Sequence, residues 1–446
     1  MKEFDNDDVR TCAYSLTQSV NSADAAESWL HLKGKFPNLC AMVSLTDYER
    51  CSVPPSVKKY TKEPNNYLVP YLTNENIYFL DDELLASSLF GKVKFPIDYS
   101  LMFDTNVATY IDKLVHGEKL GGDVQQKLIP LIDNILHDDL NFDFLFYLTE
   151  NVKNILNLLK DEQGSKFYFW KSLDRKFRRN MFSLQLFRSI DTSEYKRTSN
   201  PKFRFTPLQA AREAVDLCYG FYATPEAKKK ILNFIDLQRT ILLQVIEMTK
   251  IQLSSNRSAK NKFKDFLFFM HNDIGLYFDR EAIVAHKYFL DRKNFEMLEK
   301  IKTGSKRTRT RLLKKLDNIA WDMAASRFME NVTVSGEGRY FIPMFLTFDS
   351  RLRQLFTLYP VKVVMINKES KKSVSLPEIN TADYFEQYDL KNELEEFFCD
   401  SAKMERRKKR RLTRQDTHQL IKKKHKELRD VLIAAEPKEG KTGLSA

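Results

Sequence analysis

The sequence predicts an α/β protein: a small parallel sheet flanked by helices, interrupted by a mostly helical insertion and helix-rich overall. Three observations predict it. A mostly apolar run, Tyr99 to Phe103, closes on Asp104-Thr105-Asn106 and reads as a short buried strand entering a helix. Much later, MFLTFD (344–349), SRLRQLFTL (350–358) and VKVVMIN (361–367) read as strand, helix and strand with short joints. That is the pattern of a βαβ unit, and so of a parallel sheet. Between about 122 and 335 the pattern is almost wholly helical.

The elements follow in order. Residues 1–94 form a mixed region, with proline-marked extended stretches at Pro54-Pro55, Pro64 and Pro70 and a helix-like DDELLASSLF at 81–90. Residues 95–160 supply the first part of the sheet domain. After the Asp104 loop, apolar residues recur at Val107, Tyr110-Ile111 and Leu114-Val115, and a later stripe runs through Leu148, Val152, Ile155 and Leu159. Residues 161–310 form the helical insertion, where Ile231, Ile235, Leu242 and Ile246 suggest another stripe. Within it FYFWK (167–171) is expected to enter the core, with base stacking as the alternative. Residues 311–370 complete the sheet domain, and Pro343 is expected to shorten its first strand. An acidic helix (381–399) occupies 371–402, followed by a basic, partly disordered tail at 403–446.

Composition narrows the classes. Among 446 residues, 43% are hydrophobic and 12% aromatic, which supplies a core and excludes a disordered chain. No apolar run approaches the ~18 residues of a membrane-spanning helix, so no membrane partner is expected. The start, MKEFDNDD, is acidic where a signal peptide would be basic and then apolar. Cys12, Cys40, Cys51, Cys218 and Cys399 are odd in number and far apart, which argues against a disulfide framework or zinc ribbon. A soluble cytoplasmic protein is the expectation.

The net charge of +12 is concentrated. Lys300–Lys315 carries eight Lys/Arg in 16 residues, including Lys306, Arg307, Arg309, Arg311 and Lys314. Lys403–Asp430 carries 13 Lys/Arg against four acids, including Arg406, Arg407, Lys408, Lys409 and Arg410. Dense like charge attracts a polyanion through counterion release, which makes nucleic acid the first partner to consider. A merely solvated tail is the competing reading. The tail lacks interleaved aromatics, so it would grip phosphates without reading bases.

The carboxylates carry the chemistry. Asp104 and Asp349 both close strands, and in open parallel sheets function gathers at carboxyl ends. Several acids there are costly together unless a cation binds, and hard divalent ions prefer oxygen ligands. Leu316, Ile319, Ala320 and Met323 form a buried stripe that leaves Asp322 on a small-residue face with Ala325 and Ser326. Asp317 points elsewhere and is held in reserve. The fourth acid is open between Glu150, with Lys153, Asn154 and Asn157 on its face, and Glu281, on an apolar stripe with Val284, Ala285 and Tyr288. No Walker loop, GxGxxG or HExxH occurs, and no nucleophilic Ser or Cys arrangement has support.

Asp104-Thr105-Asn106 after a strand, and Thr347-Phe348-Asp349 closing a later one, resemble the PIN-like nuclease family, with Asp322 in a compatible order. The resemblance implies a parallel sheet in which three or four acids bind magnesium or manganese and cut nucleic acid, RNA more often than DNA. It implies Asp104, Glu150, Asp322 and Asp349 as metal-binding and catalytic residues, with Asn106 and Thr347 in support. It covers residues 95–155 and 310–368, and the long helical segment between them departs from a compact member. The insertion would select substrate shape or bind a regulatory protein partner, and a toxin-like or defence role follows from the resemblance alone. The alternative is a non-catalytic nucleic-acid-binding or scaffold protein whose acids are structural. Oligomeric state is left open.

Overall fold

In a computed structural model, the described residues are 4, 6–32, 34–46, 53–72, 76–82, 97–155, 165–293, 295, 298, 301, 311–333, 340–399, 405 and 412–434, with backbone alone at 97–98, 340 and 396–399. The predicted helix at 81–90 lies outside them from residue 83 onward. So do Leu159 and the basic residues Lys306, Arg307, Arg309, Arg406, Arg407, Lys408, Lys409 and Arg410. The chain forms two units, residues 1–233 with 325–378 and residues 234–324 with 379–446.

The strands all belong to the first unit: β1 (Leu39–Leu45), β2 (Leu68–Pro70), β3 (Asn76–Leu80), β4 (Ile97–Phe103), β5 (Phe142–Asp143), β6 (Tyr340–Leu346), β7 (Val361–Asn367) and β8 (Lys372–Pro377). They make two four-stranded sheets, ordered β2-β6-β4-β5 and β3-β1-β7-β8. In the first, β4 runs parallel to β6 along its whole length, from Ile97 opposite Tyr340 to Phe103 opposite Leu346. β5 adds in parallel beside β4, and β2 adds antiparallel beside β6. The parallel sheet predicted around Asp104 is therefore mixed. Its two central strands are far apart in the chain, with most of the described helices between them.

The expected βαβ unit at 344–367 does not form. β6 is already flanked by β2 and β4, so no edge remains for β7. After the helix Ser350–Thr357, β7 instead pairs antiparallel with β1 and β8 in the second sheet. All of β1 is buried, and Ala41, Val43 and Met365 pack under Val9, Leu16 and Trp29 of the helices Asp7–Gln18 and Ser22–Leu30. Pro343 does not shorten β6: pairing continues past it on both sides, and its carbonyl accepts from Tyr71 N at 3.1 Å.

The helices that frame the sheet start at capping residues. Asp104 caps Thr105–Val115, Asp174 caps Arg175–Arg188, and Thr206 with Gln209 forms a reciprocal capping box at Pro207–Tyr222. Tyr147 stacks on Phe177 at 5.5 Å, and the Tyr222 hydroxyl donates to the Leu148 carbonyl at 2.5 Å. These contacts fix the helix Leu145–Ile155 against its neighbours. FYFWK is split rather than buried: Phe169 is 1% exposed, but Phe167 and Tyr168 are 57% and 70% exposed.

The second unit is helical in all its described regular elements. Phe263 stacks on Phe385 at 4.7 Å, and His286 lies among Phe263, Tyr384, Phe385 and Tyr388. Burial pushes His286 down to about 4, so it is neutral near pH 7 and serves as packing. The acidic helix expected at 381–399 is two helices, Thr381–Glu386 and Lys391–Cys399, broken where Asp389 turns left-handed (φ 58°) and Leu390 drops into the core.

The basic tail carries a helix with a buried face. Residues Arg414–Ala434 form a helix that buries Ile421, Leu428 and Leu432. Lys424 is almost fully buried and lies 3.3 Å from Glu247 and 3.4 Å from Asp273, while Arg414 forks onto Asp236 with two 2.7 Å bonds. Charge counting hides this stripe, because part of the cation excess is paired inside the protein. Leu428→Ala should therefore lower unfolding stability by about 2–5 kcal/mol in chemical denaturation. An unchanged midpoint would mean that the helix is a solvated appendage.

Candidate active site

β4 delivers Asp104 to its carboxyl end, where the backbone N–H of Asp104 donates to the Leu346 carbonyl of β6 at 3.3 Å. Asp104 is 4% exposed. One carboxyl oxygen accepts from Val107 N at 2.6 Å, capping the first turn of Thr105–Val115. The other accepts from the Thr347 hydroxyl at 2.7 Å. Thr347 is fully buried, its N–H donates to the Tyr67 carbonyl, and its hydroxyl accepts from Asp349 N at 3.1 Å. A continuous hydrogen-bonded path thus runs from Asp104 through Thr347 to Asp349.

Glu150 joins from the helix Leu145–Ile155. Its carboxylate accepts from the Thr105 hydroxyl and, at 2.9 Å, from Lys153 Nζ. Asp143, at the end of β5, fixes the start of that helix by accepting from Leu145 N at 2.9 Å, and it also accepts from the Ser100 hydroxyl of β4. Each of the parallel strands β4, β5 and β6 therefore runs into an acid within three residues of its end. Asn106 is exposed beside the cluster.

Burial dominates the electrostatics. It pushes Asp104 up to about 7, against the downward pull of the Val107 N–H and Thr347 hydroxyl, and the charge of Glu150 pushes it further up. Tyr110, on the helix that Asp104 caps, is raised by its own burial and by Asp104. Asp349 has a different environment. It caps Ser350–Thr357 and holds the Arg351 guanidinium by two bonds of 2.9 and 2.7 Å, so its charge is matched locally.

Of the acids named from sequence, Glu150 acts on Asp104 through its charge, and Asp349 is linked to Asp104 through Thr347. Asp322 lies on the helix Leu312–Val332, within the second unit's residues. The stripe predicted beside it, Leu316, Ile319, Ala320 and Met323, is buried. Asp317 accepts from Gln238 Nε2 at 3.1 Å. Glu281 is fully buried in the second unit with Val284, Ala285 and Tyr288 on its face, also buried. Arg311 and Lys314 are exposed.

Sequence reasoning misses Asp143, and it places Thr105, Tyr110 and Lys153 near the site without giving them a role there. Thr105 and Lys153 bear directly on Glu150, and their signal is available: Thr105 follows the strand-end Asp, and Lys153 lies three residues from Glu150 on one helical face. Asp143 closes a two-residue strand, too short to leave a pattern.

Comparison with family models, curated proteins and solved structures finds no match. Among the described residues, no group of three or more His, Cys, Asp or Glu side chains is gathered closely enough to hold a metal ion. Two interacting carboxylates do offer hard oxygen donors. They match the habit of magnesium, which keeps several waters and takes one or two carboxylates together with substrate phosphate.

The raised Asp104 value makes stability depend on pH. The unfolded value of an aspartate is about 3.9, so the folded protein retains a proton on Asp104 that the unfolded chain releases between about pH 4 and 7. This group's contribution to stability therefore falls as pH rises through that window. Asp104→Asn keeps an acceptor for Val107 N, and its stability advantage over the wild type should grow from pH 5 to pH 8. Parallel stability curves would contradict the raised value. Thr347→Val leaves one Asp104 carboxyl oxygen without its donor and Asp349 N without an acceptor, and should cost about 1–3 kcal/mol by thermal unfolding.

Proposed function

We propose that the protein is a metal-dependent phosphodiesterase acting on nucleic acid, RNA in preference to DNA, with Asp104 and Glu150 at its centre. The observation that carries the reading is the buried Asp104 carboxyl, set at the joined ends of two parallel strands and raised further by Glu150. Two acids so placed repel each other unless a proton or a cation intervenes. The order Asp104-Thr105-Asn106, Glu150, Thr347-Phe348-Asp349 and its resemblance to PIN-like nucleases support the same reading.

Asp104 and Glu150 would hold magnesium or manganese, and such an ion, when bound, polarises a phosphoryl oxygen and lowers the pKa of a bound water. Val107 N–H and the Thr347 hydroxyl fix the direction of the Asp104 carboxyl, while Thr105 and Lys153 fix that of Glu150. A carboxyl with a value near 7 can also take or give a proton at neutral pH. Asp349, matched by Arg351, holds the loop and the end of β6 rather than adding free charge. Residues of the first unit suffice for all of these roles.

One observation favours the scaffold reading instead. Asp104 and Asp349 each cap a helix, a sufficient structural reason for an Asp at both positions.

Cleavage of labelled single-stranded RNA and DNA with magnesium or manganese separates the two. On the nuclease reading Asp104→Asn and Glu150→Gln should each lower the rate by about 100-fold or more, and Asp349→Asn by less. Folded wild-type protein that cuts neither substrate with either metal, or an Asp104→Asn variant that cuts normally, would favour the scaffold.

A further inference from the structure

Scattered single apolar residues on a surface need no explanation, and Phe268 is one of these. The pair Phe167–Tyr168 is different. Both rings are largely exposed on the helix Lys166–Ser172, 5.9 Å apart and edge to face. The Lys171 ammonium lies over the Phe167 ring at 4.4 Å. Exposed Arg175 and Lys176 follow at the start of the next helix, and among the described residues Lys171, Arg175 and Lys176 make no ion pairs. By contrast, Lys166 is paired with Asp216, and Arg179 with Asp112 and Glu118. The one acid in this stretch, Asp174, accepts from Lys176 N and Phe177 N as a helix cap.

The aromatic pair is also rigidly mounted. Phe169, buried on the same short helix, packs edge-on against Tyr219 at 5.8 Å. The next helix, Arg175–Arg188, rests on Thr105–Val115 through Ser183, which donates to Asp112 at 2.6 Å. It also stacks Phe177 on Tyr147 of the helix that bears Glu150.

We propose that Phe167 and Tyr168 form a stacking platform for single-stranded nucleic acid, with Lys171, Arg175 and Lys176 gripping its phosphates. Exposed rings offer a surface on which any base can stack, and adjacent cations supply sequence-independent attraction to the backbone. A duplex hides its base faces and would gain only the second. The inference rests on nucleic acid being the partner, and it assigns the strand preference to this helix rather than to the basic segments at 300–315 and 403–430.

The test is fluorescence anisotropy of the full chain with a labelled single-stranded RNA in EDTA, so that metal-dependent cleavage does not intervene, across a salt series. Phe167→Ala with Tyr168→Ala should weaken binding about 10- to 100-fold with an unchanged salt slope. Arg175→Ala with Lys176→Ala should reduce the slope by about 0.7 for each phosphate that is no longer neutralised. Circular dichroism and thermal unfolding should match the wild type, since the substituted side chains are exposed. Unchanged affinity in the aromatic variant, or equal wild-type affinity for blunt duplex and single strand, would overturn the platform and leave a protein partner as the occupant. Failure of the nuclease reading is separable: it appears as absent cleavage with metal, whatever the binding in EDTA.

Discussion

The hydrogen bond from the Thr347 hydroxyl to the Asp104 carboxyl joins residues 243 positions apart, and much of the first unit depends on that meeting. It ties the end of β4 to the end of β6, so that two strands from distant parts of the chain finish at one place. Because Asp104 also caps the helix that follows it, the same carboxyl links the ends of two strands to the start of a helix. Thr347 in turn accepts from Asp349 N, which starts the turn that carries the chain away to the second sheet.

This arrangement sets structure against charge. Each donor to Asp104 favours its ionised form, yet burial and Glu150 oppose ionisation more strongly. A carboxyl used only as a cap is usually left partly exposed, where its charge costs little. Keeping one buried beside a second acid lowers stability at neutral pH, a feature common at sites where a proton or cation must be handled. Asp349 shows the other solution within the same path, since the Arg351 guanidinium pairs with it through two hydrogen bonds.

Local patterns in the sequence are legible where one element determines its own burial. The strand before Asp104, the helix after it, the stripe Leu148–Val152–Ile155 and the stripe around Asp322 all stand where periodicity places them. What periodicity does not encode is which edges are free. β6, its helix and β7 look like a parallel unit until β2 and β4 occupy both sides of β6. β1 is an uninterrupted buried run with no alternation to reveal it, and its partner β7 lies over 300 residues later. Composition misleads in the tail, where Lys424 and Arg414 look like solvated charge but are paired. It misleads again in FYFWK, where Phe169 is core while Phe167 and Tyr168 face solvent. At the candidate site the acids on strand ends are readable, whereas Asp143 and the pairing of Asp349 with Arg351 depend on local geometry that spacing alone does not fix.

On the proposed reading, Asp104 is a buried carboxyl whose proton gives way to a cation. An isotope-edited infrared titration, taking wild type minus Asp104→Asn with labelled aspartate, reads that group directly. The expected result is a carboxyl that ionises near pH 7 and that magnesium or manganese drives well below the usual carboxylate range. Ionisation near the ordinary aspartate value, indifferent to either metal, would contradict it.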